Sequence, residues 1–440
     1  MPDDISRFRQ RSAKKHRRRN SPFLCVPLDL EHTPEIIIQT DGRGVLPAAA
    51  VEAAHRDETE ENNMVTKDFQ GIPLSALGMG AMRLPVKGDG YADVDEPAAQ
   101  RMVAQAMAAG VNYYDTAYGY HDGHSEGALG RALAQFPREK WHLADKFPGY
   151  DLANMDKVEA IFNVQLQRCG VEYFDFYLFH NVCEMNIDAY LDPKYGILDY
   201  LLQQKAAGRI RHLGFSCHGN IDVLTRFLDA YGAHMEFCQL QLNWLDWTFQ
   251  HGREKVEILN ARGIPVWVME PLRGGRLASL PEKETARLRA LRPQENTPAW
   301  AFRFLQDVPG VTMILSGMSS EEQLRDNLHT FETDAPLNDA ERTVLLDIAR
   351  RMTEAGLVPC TGCRYCTSHC PQGLDIPRLL ELYNEHIFTG GGFLAPMALS
   401  ALPADKQPSS CIACRSCEAV CPQQIKVSEV LADFTARLNG

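Results

Sequence analysis

Residues 97–135 read PAAQRMVAQAMAAGVNYYDTAYGYHDGHSEGALGRALAQ. Over 97–109 the apolar positions recur as one face of a helix. Residues 111–115 then form a short β-rich run that ends on Asp115, and 125–135 returns to helical spacing. A helix, a strand ending in a carboxylate and a second helix are one turn of an α/β repeat. The same alternation fills about 65–350. Its strand candidates are 72–78, 111–115, 141–146, 174–179, 211–216, 236–240, 265–269 and 312–315. Helical stretches lie between them, at 97–109, 125–135, 155–169, 198–207, 222–231 and 253–261. Eight strands alternating with helices predict a closed (β/α)8 TIM barrel of the α/β class. An open doubly wound sheet is the alternative. Its G-x-G-x-x-G fingerprint is missing, because Gly78-Met79-Gly80 continues as Ala81-Met82-Arg83.

The whole chain has 440 residues, 45% hydrophobic and 23% charged, which is globular composition. That length accommodates one large barrel and a small module. A net charge of −12 argues against a nucleic-acid partner of the usual basic kind. No run approaches the roughly 18 apolar residues of a membrane span, and 390–403 reads as a loop or core segment. Residues 1–20 carry eight Lys/Arg against two Asp, and 57–61 is an acidic run. With no sustained period, 1–63 reads as a disordered extension ahead of a domain that starts at Met64. Residues 21–30 hold two prolines and Asp29, too poor an apolar segment for secretion, so a cytoplasmic protein is expected. The expected organisation is thus 1–63 extension, 64–350 barrel and 351–440 a separate module.

Thirteen cysteines define that module, since eight of them fall within 360–370 and 411–421. The first window reads Cys360-x2-Cys363-x2-Cys366-x3-Cys370-Pro371, and the second reads Cys411-x2-Cys414-x2-Cys417-x3-Cys421-Pro422. Three cysteines at i, i+3 and i+6 wrap a loop around one iron–sulfur cube, and the fourth reaches the other cube. The following proline stops the loop from continuing as helix. Zinc usually takes C-x2-C pairs across a longer spacer. Two [4Fe–4S] clusters are therefore expected, with zinc or disulfides as the remaining readings. Cys360, Cys363, Cys366 and Cys421 would hold one cluster, and Cys411, Cys414, Cys417 and Cys370 the other. The segment resembles ferredoxin-type electron-transfer domains. Its 40-residue spacer and helical flanks are closest to the mainly α-helical variety. Cys25, Cys169, Cys183 and Cys238 read as free thiols.

Hydride chemistry on a carbonyl needs a proton donor over the oxygen. A tyrosine, with a pKa near 10, needs a cation beside it to serve. Asp115, Tyr120, Lys146 and His180 stand at or just after successive strand ends, where a barrel places its chemistry. The run Gly110-Val111-Asn112-Tyr113-Tyr114-Asp115-Thr116-Ala117-x2-Tyr120, then Ser125-Glu126 and Leu129-Gly130, is similar to the aldo-keto reductase family. The resemblance covers about 67–348, from Leu77-Gly78-Met79-Gly80 to Gln323-x3-Asn327.

It implies an NAD(P)H-dependent oxidoreductase acting on a small carbonyl or alcohol. Tyr120 would be the general acid, Lys146 would lower its pKa, Asp115 would pair with Lys146, and His180 would orient the carbonyl oxygen. Ser216 and Gln239 would bind the nicotinamide carboxamide, and Pro271, Leu272, Gly274 and Gly275 would receive the pyrophosphate. Ser319, Gln323 and Asn327 match the family's adenosine-phosphate site. Cys217 and Met269 replace the family's usual asparagine and stacking aromatic. The Lys-Ser and Arg of its 2′-phosphate grip are missing, so NADP(H) is expected from family habit, with NAD(H) as the alternative. His121, His124, His212, His218, Trp244, Trp247 and Trp267 are candidate pocket or core residues. Two readings remain open. One is this oxidoreductase, coupled to or regulated by its clusters. The other is an electron-transfer protein serving a one-electron donor or acceptor protein, whose barrel mainly binds nucleotide or a partner.

Overall fold

The computed structural model describes residues 64–439, apart from 89, 355, 356, 359, 361–363, 365 and 422 and the side chain at 354. The extension expected over 1–63, with Cys25, and the ligand candidate Cys363 lie outside the described residues.

Strands β1 (Thr66–Phe69) and β2 (Ile72–Ser75) form an antiparallel hairpin. A closed parallel barrel follows, built from β3 (Leu77–Gly80), β4 (Tyr113–Asp115), β5 (His142–Phe147), β6 (Phe174–Val182), β7 (Ile210–Cys217), β8 (Cys238–Gln241), β9 (Val266–Met269) and β10 (Val311–Ser316). Each strand pairs with its sequence neighbour and β10 closes on β3. The strand expected over 72–78 is therefore two elements. Gln70 and Gly71, at φ 54° and 87°, make the two-residue turn that bends the chain back before the barrel begins.

The hairpin has a positional effect. Phe69 reaches Trp267 at 5.6 Å between ring centroids, while Phe237 stacks on Trp267 at 3.8 Å. With Tyr113 and Phe176 these rings fill the barrel at the start of its strands. That end is plugged, which leaves the C-terminal ends of the strands as the open mouth. Helices cover the outside. Where Ser125–Leu133 crosses the end of Val158–Cys169, Gly130 lies so close that a Cβ would stand 2.2 Å from the Cys169 carbonyl oxygen. Only glycine allows that approach.

Residues beyond the barrel fold into the helices Ile376–Thr389, Leu394–Ser400, Ser416–Ala419 and Val427–Asn439, with no strand among the described residues. Their core includes Leu379, Leu380, Leu431 and Phe434. The stretch read as loop or core over 390–403 contains a helix, Leu394–Ser400, started by a glycine turn. This module sits on the open mouth of the barrel. Arg273, in the loop after β9, donates to Asp246 at 3.0 Å and to Glu385 of the module at 2.6 Å. Arg378 pairs with Glu184 at 2.7 Å, and Arg276 donates to the carbonyls of Phe388 and Thr389. The side chains of Arg273 and Glu385 are 5% and 2% exposed. Charges buried that deeply are costly unless they stay paired, so the Arg273–Glu385 pair favours this placement of the module.

Candidate active site

A cavity of about 470 Å³ opens at the barrel mouth, a size suited to a small-molecule ligand. One end is lined by Asp115, Tyr120, His180 and Gln239, and the other by Ser319, Gln323, Asp326 and Asn327. Each catalytic candidate arrives by a different route. Asp115 is the last residue of β4. Lys146 lies on β5 with its side chain inside the barrel wall, 0% exposed. Tyr120 follows β4 on a turn in which His121 and Asp122 have positive φ. His180 lies at a break in the β6–β7 register, where Asn181 takes φ 57°. A bulge of this kind re-aims the side chain beside it.

The fold brings Asp115, Tyr120, Lys146 and His180 together. Lys146 Nζ donates to Asp115 Oδ1 at 2.5 Å and to the Thr116 carbonyl at 2.6 Å. The same ammonium lies 5.0 Å from the centre of the Tyr120 ring, and the His180 ring meets Tyr120 edge-on at 5.9 Å. Burial presses the Lys146 ammonium down, but Asp115 and Tyr120 outweigh it and hold it above its ordinary range. Burial pushes the Tyr120 hydroxyl up to about 12, against the opposing pull of Lys146. Lys146 thus acts in the expected direction without bringing the hydroxyl below its usual value. Burial, helped by Lys146, lowers His180 well below the usual imidazole range, so the ring is neutral near pH 7. Its Nδ1 is buried and has no hydrogen-bond partner among the described residues.

The nucleotide candidates divide. Gln239, Pro271, Leu272, Gly274, Gly275, Ser319, Gln323 and Asn327 all line the cavity. Gly274 and Gly275 have φ 65° and 91°, a conformation that glycine supplies without strain, and a Cβ on Gly275 would meet open space. Ser320 caps the helix Glu321–Thr330, whose first turn faces this end of the cavity. A cradle of backbone and a helix N-terminus fit an extended phosphate-containing cofactor. Ser216 does not line the cavity, and its hydroxyl accepts the Asn181 N–H at 2.7 Å. The Gln239 amide donates to Asp115 Oδ2 at 3.0 Å and so steadies the carboxylate that holds Lys146.

Sequence reasoning missed Arg83, the single Lys or Arg among the described residues lining the cavity. Its guanidinium lies 3.3 Å from where a Gly274 Cβ would stand. The signal was its place three residues after the first barrel strand. Of the four histidines considered, His218 alone lines the cavity. His121 accepts the Leu84 N–H at 3.1 Å, and His212 pairs with Glu236 at 2.9 Å. Trp244 and Trp267 are buried in the core, and Trp247 packs on Phe304.

The cysteine windows surround two further cavities. One is lined by Cys360, Cys366 and Cys421, the other by Cys370, Cys411, Cys414 and Cys417. Each space takes its fourth-position cysteine from the opposite window. Ile376 and Val427 stand against both. Among the described residues no three His, Cys, Asp or Glu side chains are grouped to hold a single metal ion. Thiolates ringing an apolar space are the donor set of an iron–sulfur cluster.

Comparison with known proteins agrees with this geometry. Residues 76–345 match the aldo/keto reductase family, and residues 359–426 match the 4Fe-4S dicluster domain. An NADH-specific methylglyoxal reductase of Escherichia coli K12 is 25% identical over 64% of this chain and 96% of its own length. An aldo-keto reductase of a Mycobacterium species (strain KMS) is 31% identical over 48% of this chain and 72% of its own. The holo form of an aldo-keto reductase from Bacillus halodurans has the same fold, with a TM-score of 0.54 over 65% of this chain and 96% of that one, at 24% identity. With a match across more than half its length, the chain belongs to the aldo/keto reductase family and carries a 4Fe-4S domain behind its barrel.

Proposed function

We propose that the protein is an NAD(P)H-dependent carbonyl reductase whose proton donor is Tyr120. The observation that carries this reading is the buried Lys146–Asp115 pair, placed beside the Tyr120 ring in a cavity continuous with the Gly274–Gly275 cradle. A nicotinamide cofactor held by Arg83, Pro271, Leu272, Gly274, Gly275, Ser319, Gln323 and Asn327 supplies the hydride. NADP(H) follows family habit. The NADH-specific relative and the absence of a Lys-Ser grip make NAD(H) the form to compare with it.

The chain's own residues manage the proton. The carbonyl oxygen gains negative charge as its carbon is reduced, and the Tyr120 hydroxyl neutralises that charge by donating its proton. The tyrosinate left behind lies next to the Lys146 ammonium, whose attraction is strong in a site from which water is largely excluded. Asp115 and the Thr116 carbonyl keep that ammonium aimed, and Gln239 holds the second oxygen of Asp115. Neutral His180 offers a hydrogen bond that orients the substrate oxygen without competing as an acid.

The two thiol-lined cavities fit two [4Fe–4S] clusters, each of which exchanges one electron at a time when bound. Cys360, Cys363, Cys366 and Cys421 are proposed for one, and Cys370, Cys411, Cys414 and Cys417 for the other. The domain limits at 350 and 351 follow the same division. The module's seat on the barrel mouth supports coupling to, or regulation of, the barrel, with a one-electron carrier protein as the partner. The buried thiols Cys169, Cys183 and Cys238 suit a reducing cytoplasm.

Three outcomes test this reading. With oxygen excluded and methylglyoxal among the carbonyl substrates, Tyr120→Phe should lower NADH- or NADPH-dependent turnover by about 10²–10⁴-fold. Equal rates in parent and variant would pass the lead to the electron-transfer reading. Because His180 is depressed and Tyr120 raised, both hold their working forms between them. Carbonyl reduction should therefore stay level from about pH 6 to about pH 9. An inflection near 6.5 would show His180 titrating and contradict its neutral role. The full chain should bind about eight iron atoms, and Cys370→Ala should leave about four, those of the Cys360–Cys421 cluster. Loss confined to the cluster held by Cys360, Cys363 and Cys366 would refute the crossed ligation.

A further inference from the structure

Phe393 belongs to the iron–sulfur module, yet it lines the barrel cavity together with Tyr120 and His180. Its ring is among the most exposed large apolar side chains of the described residues, at 56%. It is nevertheless held in position. The helix Ile376–Thr389 ends in Gly390 and Gly391, at φ 66° and 95°, which turn the chain sharply into Phe393. The Gly391 N–H returns to the His386 carbonyl at 2.9 Å, and the Gly392 N–H to Thr389 Oγ1 at 2.9 Å. Phe393 then caps the helix Leu394–Ser400, where Met397 Sδ accepts from Asn181 Nδ2 at 3.4 Å. On the barrel side the ring meets His218 edge-on at 5.6 Å.

An aromatic ring fixed in a cavity and left open to water gains free energy when an apolar group covers it. The proposed phosphate cradle is formed by Gly274, Ser319 and Gln323, whereas Phe393 contacts His218, and Met397 of its helix contacts Asn181. We propose that the iron–sulfur module supplies a substrate-specificity residue, Phe393, which selects carbonyl compounds bearing an aromatic group next to the reacting carbon. The barrel's substrate site is then complete only with the module in its seat. This inference rests on the carbonyl-reductase reading and goes beyond it by naming the substrate class and the residue that chooses it.

Binding and turnover are measured separately on full-length, cluster-loaded protein. The binding probe is 4-fluorobenzyl alcohol with oxidised nucleotide, followed by ¹⁹F NMR. The turnover probes are benzaldehyde and propanal. Phe393→Ala should weaken 4-fluorobenzyl alcohol binding by about tenfold or more, with Phe393→Tyr restoring most of it. The benzaldehyde-to-propanal ratio of kcat/KM should fall similarly, through KM. Unchanged iron content and nucleotide affinity show that the module and the cradle remain intact. If parent and Phe393→Ala bind the probe alike, or the parent does not bind it, the proposal is wrong even where propanal is reduced. Phe393-dependent binding with no turnover of any carbonyl would instead overturn the reductase reading and, with it, the substrate selection assigned to Phe393.

Discussion

A lysine ammonium with no exposed surface must be paired, and in this barrel the pairing of Lys146 with Asp115 fixes the positions of the groups around it. The two residues come from neighbouring strands, so the ion pair joins β4 to β5 across the barrel wall. Gln239 reaches the same carboxylate from β8, and the Thr116 carbonyl completes the ammonium's partners. Removing either charge would strand the other in a poorly solvated interior. The geometry that keeps Lys146 solvated by protein groups also puts it beside Tyr120, so stability and the proposed chemistry make the same demand.

A second buried network connects this site to the module above it. His218 faces Gln241 at 2.9 Å, Gln241 donates to Asp246 at 2.9 Å, and Asp246 and Glu385 share Arg273. The chain of contacts runs from a side chain in the cavity to a helix of the iron–sulfur module. Buried charges of this kind contribute little net stability over an apolar replacement. They impose geometry, since Arg273 satisfies Asp246 and Glu385 together only when the module is seated. The hairpin plug at the opposite end has a similar consequence, because it leaves the module's side as the open one.

The sequence revealed the barrel through repetition. A period of strand and helix is visible wherever strands are buried on both sides and helices on one. The first barrel strand is hard to delimit in the sequence because Ile72–Ser75 is as β-like as the strand that follows it, and the two-residue turn at Gln70-Gly71 is the local sign of a hairpin. The proposed catalytic residues were legible because they stand at strand ends, which can be counted along the chain, and within a run that resembles a known family. The cysteine windows carried their own spacing rule. Phe393 and the Arg273–Glu385 pair are illegible for a common reason, whereas Arg83 differs in standing just after a strand end. Arg273 and Glu385 are 112 positions apart, and no local pattern indicates that two distant segments will share a wall. Ser216, a strand-end serine read as a ligand group, accepts the Asn181 N–H through its hydroxyl, a local contact that the sequence does not announce.

The account depends on the Lys146 charge supporting proton donation rather than merely filling the barrel. Lys146→Met keeps the length and apolar stem of the side chain and removes the ammonium. The decisive measurement is carbonyl reduction by this variant alongside nucleotide affinity and iron content. The account predicts a fall in kcat of about 10²-fold or more with nucleotide still bound and the clusters intact. Reduction at the parental rate by a folded, nucleotide-binding Lys146→Met protein would contradict it.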